Sequence, residues 1–391
     1  MARKIYLGVN NVARNINKIY VGVDNVARRI KKAYIGIGGV ARPLWNNGIV
    51  YYGKISGLYD SRLDIAATTV GDYAIFAGGY DFFDNVRSYH STTDAYDSKL
   101  IKSNNIIDLN NEKTGIGATT IGDYAVFAGG RCLEIVDGKI TGYVYYIDRD
   151  FYDKSLTHTH DSSNIFNRAY MGVTTVGDCA LFAGGSNNDA SDSTAVSVLN
   201  KSLTQSVGEA MNRARVNAAA TTVGDYALFA SGYNSISGNP IDPIDVYNKS
   251  LTHTVIYALS PADARVCTAT TVGNYAIFTG YTISVSNNSD HVTVFDKSLT
   301  MSTTHISVGR HSMSATTVGD YAIFAGGFID GTGATDVVDI FDKSLTRSTA
   351  KLGSAKANMG AAAVGSYALF AGGGRNASYP EATVEVFESN E

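Results

Sequence analysis

Aromatic, arginine and asparagine side chains gather at recurrent points of this sequence. Tyr80, Phe82, Phe83, Arg87 and Tyr89 share one stretch, and Arg131, Tyr233 with Asn234, Tyr281, Phe328, and Arg375 with Tyr379 stand in later ones. A second series, Arg62, Arg168, Arg215, Arg265 and Arg310, recurs near one point of successive repeats. Rings give rigid amphipathic surface, and Asn and Arg give directed hydrogen bonds, so this is the chemistry of non-covalent recognition. Sugars are met in much this way, ring face on aromatic and hydroxyl on Asn, Asp or Arg. The arginine series has an architectural alternative, in which it caps sheet ends or bridges repeats. Phe82 and Phe83 could likewise fold back as a satellite cluster.

Groups for covalent or acid–base chemistry are sparse. The sequence has no sialidase-type Ser-x-Asp-x-Gly-x-Thr-Trp box, no His-x-x-x-His metal helix and no nucleophile elbow. Asp81 and Asp84 read as ordinary loop acids. His158 and His160 alternate onto one strand face and read as a solvent-facing pair. Cys132, Cys179 and Cys267 share no metal-ligand spacing and form no disulfide framework. No catalytic residue, metal or cofactor is therefore expected.

The elements that position the aromatic and arginine residues come from a repeat. Ala315-Thr-Thr-Val-Gly-Asp-Tyr-Ala-Ile-Phe-Ala-Gly-Gly327 is the clearest of seven copies; the others end at Gly79, Gly130, Gly185, Gly232, Gly280 and Gly373. A small β-branched run, a Gly-Asp turn and a run alternating large and small side chains read as a hairpin, strands a and b. One hairpin cannot stand alone in water, whereas several side by side bury a common core. The turn residue falls at 72, 123, 178, 225, 274, 320 and 366, spacings of 46–55 residues that match one propeller blade. Strand c follows, as in Asp336-Val-Val-Asp-Ile-Phe341, and an Asp342-Lys-Ser turn leads into strand d at Leu345. That turn phrase is degenerate at Asp97-Ser-Lys-Leu-Ile. The last unit ends at Val384-Glu-Val-Phe-Glu388 without strand d, and Gly48–Leu58 occupies a strand-d slot ahead of the first hairpin. The expected fold is all-β: a seven-bladed propeller over residues 46–391, closed by its N-terminal strand, which removes the open sheet edge.

Residues 1–45 carry another repeat of period 14, with Tyr6, Tyr20 and Tyr34 in register and Asn-Asn, Asp-Asn or Gly-Gly at the turns. Three hairpins in a six-strand meander are expected. This head has nine Lys/Arg against one acid, net +8, while the rest is net −12. About 45 residues seldom fold alone, so the head either docks on an acidic protein or self-associates; alternatively its cations simply blunt strand edges. The acidic body argues against a nucleic-acid partner. No apolar run approaches the roughly 20 residues that span a bilayer, and the N-terminus lacks the apolar core of a secretory signal.

The glycine pair after a short apolar strand, the preceding Gly-Asp-Tyr turn and the following Val-x-Val-Phe/Tyr-Asp strand resemble the kelch repeat. The resemblance covers about 340 residues in all seven units; it departs where kelch units carry Trp near the start of strand d, since this chain has Leu or Thr and its one Trp, Trp45, lies outside them. The Ser-Leu-Thr and Thr-Thr-Val-Gly-Asp-Tyr phrasing and the 14-residue head are similar to tail-associated proteins of phages and prophages of Gram-positive bacteria. That resemblance implies a non-enzymatic receptor-binding protein of a phage tail or tailocin, released by lysis, that recognises a bacterial surface glycan or polymer. Its head would attach to a tail or baseplate protein. Other readings are an intracellular kelch-type protein-interaction scaffold and an enzyme using the central channel. Alternation of turns puts the near-identical a–b and c–d turns below and the variable b–c and d–a connections on top, so recognition is expected at the top.

Overall fold

The computed structural model describes residues 48–390 apart from 84–85, 138, 163–166, 188–190, 235–242, 257–267, 281, 285–286 and 377–378, together with the backbone of six strands nearer the N-terminus. Those six form hairpins: Ile5–Val9 with Val12–Ile16, Tyr20–Val23 with Val26–Arg29, and Tyr34–Ile37 with Val40–Pro43. Each is a separate two-stranded sheet rather than part of a meander. Every 14-residue unit closes on itself, and no described strand of the head pairs on both edges.

Seven small antiparallel sheets then follow in a ring. In the sixth, strand a (Ser314–Val318) pairs with b (Tyr321–Ala325), b with c (Val337–Asp342) and c with d (Arg347–Lys351). Val318 and Tyr321 face each other across the Gly-Asp turn. Gly319 has φ +54°, and the corresponding glycines of the other blades lie between +53° and +56°. Glycine is what a two-residue loop of this hand needs at its first position.

Strand b explains the alternation of large and small residues. It is buried on both faces, and each face belongs to a different blade interface. Ile75 and Ala77 share a cluster with Ala125 and Phe127 of the next blade, while Ala74 and Phe76 share one with Leu369, Val384 and Val386 of the last. Large meets small across each interface, which is how a tapering ring packs densely. Seven such clusters, one between each pair of neighbouring blades, make the core continuous around the axis.

Strand a is held blade to blade by its threonines. The Thr68 and Thr120 hydroxyls are 2.8 Å apart, as are those of Thr174 and Thr222 and of Thr270 and Thr317. The Thr69 hydroxyl donates to the Ala363 carbonyl at 2.6 Å, linking the first blade to the last. Ring closure is as expected: Ile49–Ile55 pairs antiparallel with Val384–Ser389 and supplies the outer strand of the seventh sheet.

Three local expectations are corrected. Strand d begins later than Leu345, which takes φ +62° inside the turn, as do Leu156, Leu203, Leu251 and Leu299 at +60° to +63°. In the Asp342 turn the carboxylate accepts the Ser344 and Thr346 N–H groups at 2.8 and 2.9 Å, bending the chain so that the leucine packs inward. In the first blade strand d shrinks to one bridge, Tyr96 to Lys102. Several b–c connections are themselves hairpins, Tyr80–Phe83 with Val86–Tyr89 and Arg131–Val136 with Lys139–Tyr145 being the longest. No described helix is long and apolar enough to cross a membrane.

The second glycine of the pair is sterically required. Gly327 has φ +108°, and a Cβ there would stand 2.6 Å from the His311 carbonyl oxygen, whereas Gly331, at φ +74°, has open space. Gly327→Ala should lower the unfolding free energy by about 2 kcal/mol or more, through overpacking added to backbone strain. Gly331→Ala should lose only the strain; denaturant unfolding of the two variants reads the difference.

Candidate ligand-binding face

A buried ion pair, repeated from blade to blade, builds the top of the ring. In the sixth blade Arg310, which has no exposed surface, donates from Nη1 to Asp339 of strand c at 2.7 Å and from Nε to the Gly326 carbonyl at 2.8 Å. Asp339 also accepts the Ser307 N–H at 2.9 Å and pairs with Arg347 of strand d at 3.1 Å. The carboxylate therefore grips the d–a connection twice, three residues apart, and strand d once.

The same arrangement recurs with other residues. Asp94 holds Arg62 at 2.7 Å, the Tyr59 N–H at 3.1 Å and Lys102 at 2.7 Å. Asp150 holds Lys113 at 3.0 Å, the Asn110 N–H at 2.9 Å and His158 at 2.9 Å. Asp245 holds Arg215, the Asn212 N–H at 2.6 Å and His253 at 2.7 Å. Glu385 holds Lys356 at 3.3 Å, the Gly353 N–H and Lys54 at 4.0 Å. The third blade has Ser197 for the acid and Gln205 on strand d, and Arg168 there donates to Ser197 Oγ and the Gly184 carbonyl, both at 2.6 Å. Where the carboxylate is missing, so is the second cation. Burial lowers Arg168 to about 10, so it remains charged at neutral pH.

Arg62, Arg168, Arg215 and Arg310 were expected as ligand contacts, and the structure places them instead inside the blades, at most 5% exposed. The reason is energetic: a guanidinium this deep stays charged only with carboxylate or carbonyl partners, and those partners hold it inside the blade. Arg265 and Tyr281 lie outside the described residues, as does the side chain of Phe83.

Two residues beyond each cation the chain turns through positive φ. Asp64, Gly115, Tyr170, Asn217, Ser312 and Asn358 all lie between +54° and +65°. Their backbones join neighbouring blades: Asp64 N–H donates to the Asn358 carbonyl at 3.2 Å, Tyr170 to Gly115 at 2.8 Å, Asn217 to Tyr170 at 3.0 Å and Asn358 to Ser312 at 3.2 Å. Among the described residues, the one after the closing glycine of strand b bridges to the residue just before this turn, as Tyr80 does to Leu63 and Tyr233 to Val216. Among the described residues, both positions of the first, third and fourth blades reach the axial mouth, with Arg131 of the second, Ser312 of the sixth and Asn358 of the seventh, and they differ in type from blade to blade.

Together they line a basin of about 870 Å³ to which all seven blades contribute. Of the residues expected from sequence, Tyr80, Arg87, Arg131 and Tyr233 line it. Phe82 and Tyr89 stand beside it, with ring centroids 5.7 and 6.5 Å from that of Tyr80. Asn234 is half-buried next to Tyr233, and Phe328 packs on His311 at 5.7 Å. Arg375 and Tyr379 are exposed on the seventh blade and do not line the basin. The structure adds Asp64, Tyr143, Tyr145, Tyr170 and Asn217 to the lining. The signal for three of these was the variable residue two after the repeating Arg or Lys.

Electrostatics inside the basin are uneven. Arg87 lies 4.5 Å over the Tyr80 ring and Arg131 3.9 Å over Tyr143, with Arg131 Nη1 donating to the Tyr145 hydroxyl at 3.0 Å. Burial pushes the Asp64 carboxyl up, against the Thr114 hydroxyl and Gly115 N–H that donate to it and the two arginines nearby. Burial also raises Tyr170, and Tyr80 likewise.

His158 and His160 are not a free pair. His158 is drawn onto Asp150, and His160 lies 3.6 Å from the same carboxylate. Asp148, Asp150 and His160 are the one group among the described residues that could hold a metal ion, but Lys113 Nζ stands 3.1 and 3.0 Å from the two carboxylates and already serves as their cation.

No protein-family model matches the chain, and no curated protein matches it. Among solved structures it is similar to the structure of YjhT, with a TM-score of 0.58 and 12% identity over 75% of this chain and 99% of that one. At that identity the likeness concerns fold, and with the seven sheets above it makes the chain a seven-bladed β-propeller.

The clamps can be tested by grafting one blade onto another. Asp245→Ser should cost about 3–5 kcal/mol, because Arg215 and His253 lose their carboxylate in the interior. Adding His253→Gln, which reproduces the third blade's set, should cost less than the sum of the single changes in a double-mutant cycle of urea unfolding. Acid should act on the second blade. Burial alone would raise Asp150, but His158, Lys113 and the Asn110 N–H lower it from 3.8 to about 2. Its contribution, about 2 kcal/mol, is complete above pH 4 and is lost as pH falls through 2. The stability gap between the wild type and Asp150→Asn should close over that window.

Proposed function

We propose that this protein is a non-enzymatic receptor-binding protein of a phage tail or tailocin, whose propeller recognises a bacterial cell-surface glycan or polymer through its top face. The observation that carries this reading is the axial basin, where tyrosine rings, two arginines and an asparagine meet on a ring of rigid blades. Aromatic faces with directed donors are suited to a polyhydroxylated ligand, and seven interlocked blades hold them with little ordering cost on binding. The basic three-hairpin head supports attachment to an acidic tail or baseplate protein, complementing a body of net −12. Several copies on one particle would raise the avidity of weak single sites.

A second reading, an intracellular kelch-type interaction scaffold, draws on the hairpin of the second blade. Ile135, Val136 and Ile140 near its tip are 61%, 51% and 66% exposed, which is more apolar surface than a sugar needs and is suited to a protein. Labelled full-length protein should bind Gram-positive cells and their purified wall glycans saturably. Tyr80→Ala and Tyr233→Ala should each weaken that binding about tenfold or more, as central aromatic contacts do. A folded protein that binds no cell or wall polymer, or whose binding is untouched by both changes, would shift the reading to the scaffold.

A further inference from the structure

The basin carries a charge signature that narrows its ligand. Of the buried cations of the clamps, Arg62, Lys113, Arg215, Arg310 and Lys356 each have a carboxylate within ion-pair distance, and Arg168 is held instead by Ser197 and backbone carbonyls. Arg87 and Arg131, which line the basin, have none within 4.0 Å among the described residues. The contrast lies within one protein, so it does not reflect a general shortage of acids.

Both guanidiniums are nevertheless fixed in place. Arg87 is stacked 4.5 Å from the Tyr80 centroid and 5.0 Å from that of Phe82. Arg131 lies 3.9 Å from Tyr143 and 4.9 Å from Tyr170. Stacking satisfies the faces of a guanidinium and leaves its in-plane edge for hydrogen bonds, one of which, from Arg131 Nη1, goes to the Tyr145 hydroxyl at 3.0 Å. Arg131 Nε is buried and has no hydrogen-bond partner. An orphaned buried donor is destabilising, a cost that a ligand oxygen arriving in the basin would remove.

The one acid in the lining, Asp64, is turned to other work. Its carboxyl accepts the Thr114 hydroxyl and, at 3.2 Å, the Gly115 N–H. Burial shifts it towards the neutral form, which weakens its claim on the arginines. At 870 Å³ the space is that of a ligand of several rings rather than a single ion.

We infer that the basin binds an anionic glycan, seating a carboxylate or phosphate oxygen pair on the stacked Arg87 and Arg131 while its sugar or polyol units lie on the surrounding tyrosines. This rests on the glycan-binding reading above and adds the charge of the ligand to it. The chemistry shared by the two anions is a planar or tetrahedral pair of oxygens that the guanidinium fork meets bidentately. Carboxylates come from uronic-acid polymers and phosphates from polyol-phosphate polymers, and the two sources are separable by experiment.

Full-length protein would be titrated calorimetrically with three defined probes: oligogalacturonate, poly(glycerol phosphate) and a neutral dextran oligosaccharide of similar length. At least one anionic probe should bind about tenfold or more tighter than dextran, and its affinity should fall between 50 and 300 mM salt. Whichever anion binds identifies the source. Arg131→Met and Arg87→Met should each reduce that affinity about tenfold or more, which corresponds to about 1.4 kcal/mol. Arg375→Met, an exposed arginine outside the basin, should leave it unchanged, and unfolding curves of all variants would verify their fold. Should an Arg→Met variant fail to fold, the same arm is read with Arg131→Lys, which keeps the charge but loses the fork and should still weaken binding. Dextran bound as tightly as both anions, or anion binding indifferent to the arginine changes, overturns the inference and leaves glycan binding standing. Binding of none of the three overturns the inference and the underlying reading together.

Discussion

The buried carboxylate on strand c is the interaction on which the top of this molecule depends in five of its blades. Asp339 shows why: it fixes Arg310, the Ser307 N–H and Arg347 at once, joining a connection, a strand and a sheet interior. Hydrogen bonds to all its neighbours offset the cost of burying the charge, so the clamp holds while any one partner lost alone leaves an uncompensated ion. The arginine then reaches the carbonyls at the end of strand b, as Arg310 does at Gly326. With the connection pinned, the residue two further on is forced into its left-handed turn and its side chain is delivered to the axial mouth. Variation there leaves the clamp intact, and so the mouth can change chemistry without disturbing the ring.

Much of this architecture is legible in the sequence. The repeat length, the Gly-Asp hairpin and the missing last strand define seven blades and their closure, because each is a local pattern with one physical reading. Leu345 misled because an apolar residue beside β-formers reads as a strand, whereas here an Asp side chain holds the leucine in the turn at positive φ. The arginine series misled for a related reason. Periodicity marks a residue as repeated but not as exposed, and only the fold brings Arg62 against Asp94, 32 positions away. The converse failure is Tyr170, one of the basin's rings, which the sequence marks only as the variable residue two after Arg168 and which acquires its role from its place in the ring.

The functional account joins three features of different kinds. The basin supplies rings, and cations without carboxylate partners, in a preorganised setting. The exposed tip of the second-blade hairpin, around Ile140, stands on the same face and extends the surface a polymer or partner would meet. The head contributes a separate repeat of opposite charge, suited to attachment rather than recognition.

Hydrogen exchange of the full-length protein, measured by mass spectrometry with and without saturating Gram-positive wall polymer, tests most directly whether the axial mouth is the working face. The account predicts new protection in the segments carrying Tyr80 to Tyr89, Arg131 to Tyr145, Tyr170 and Tyr233. It predicts none in the Asp-Lys-Ser turns at the opposite end. Protection confined to those turns, to the outer strands or to the head would contradict it.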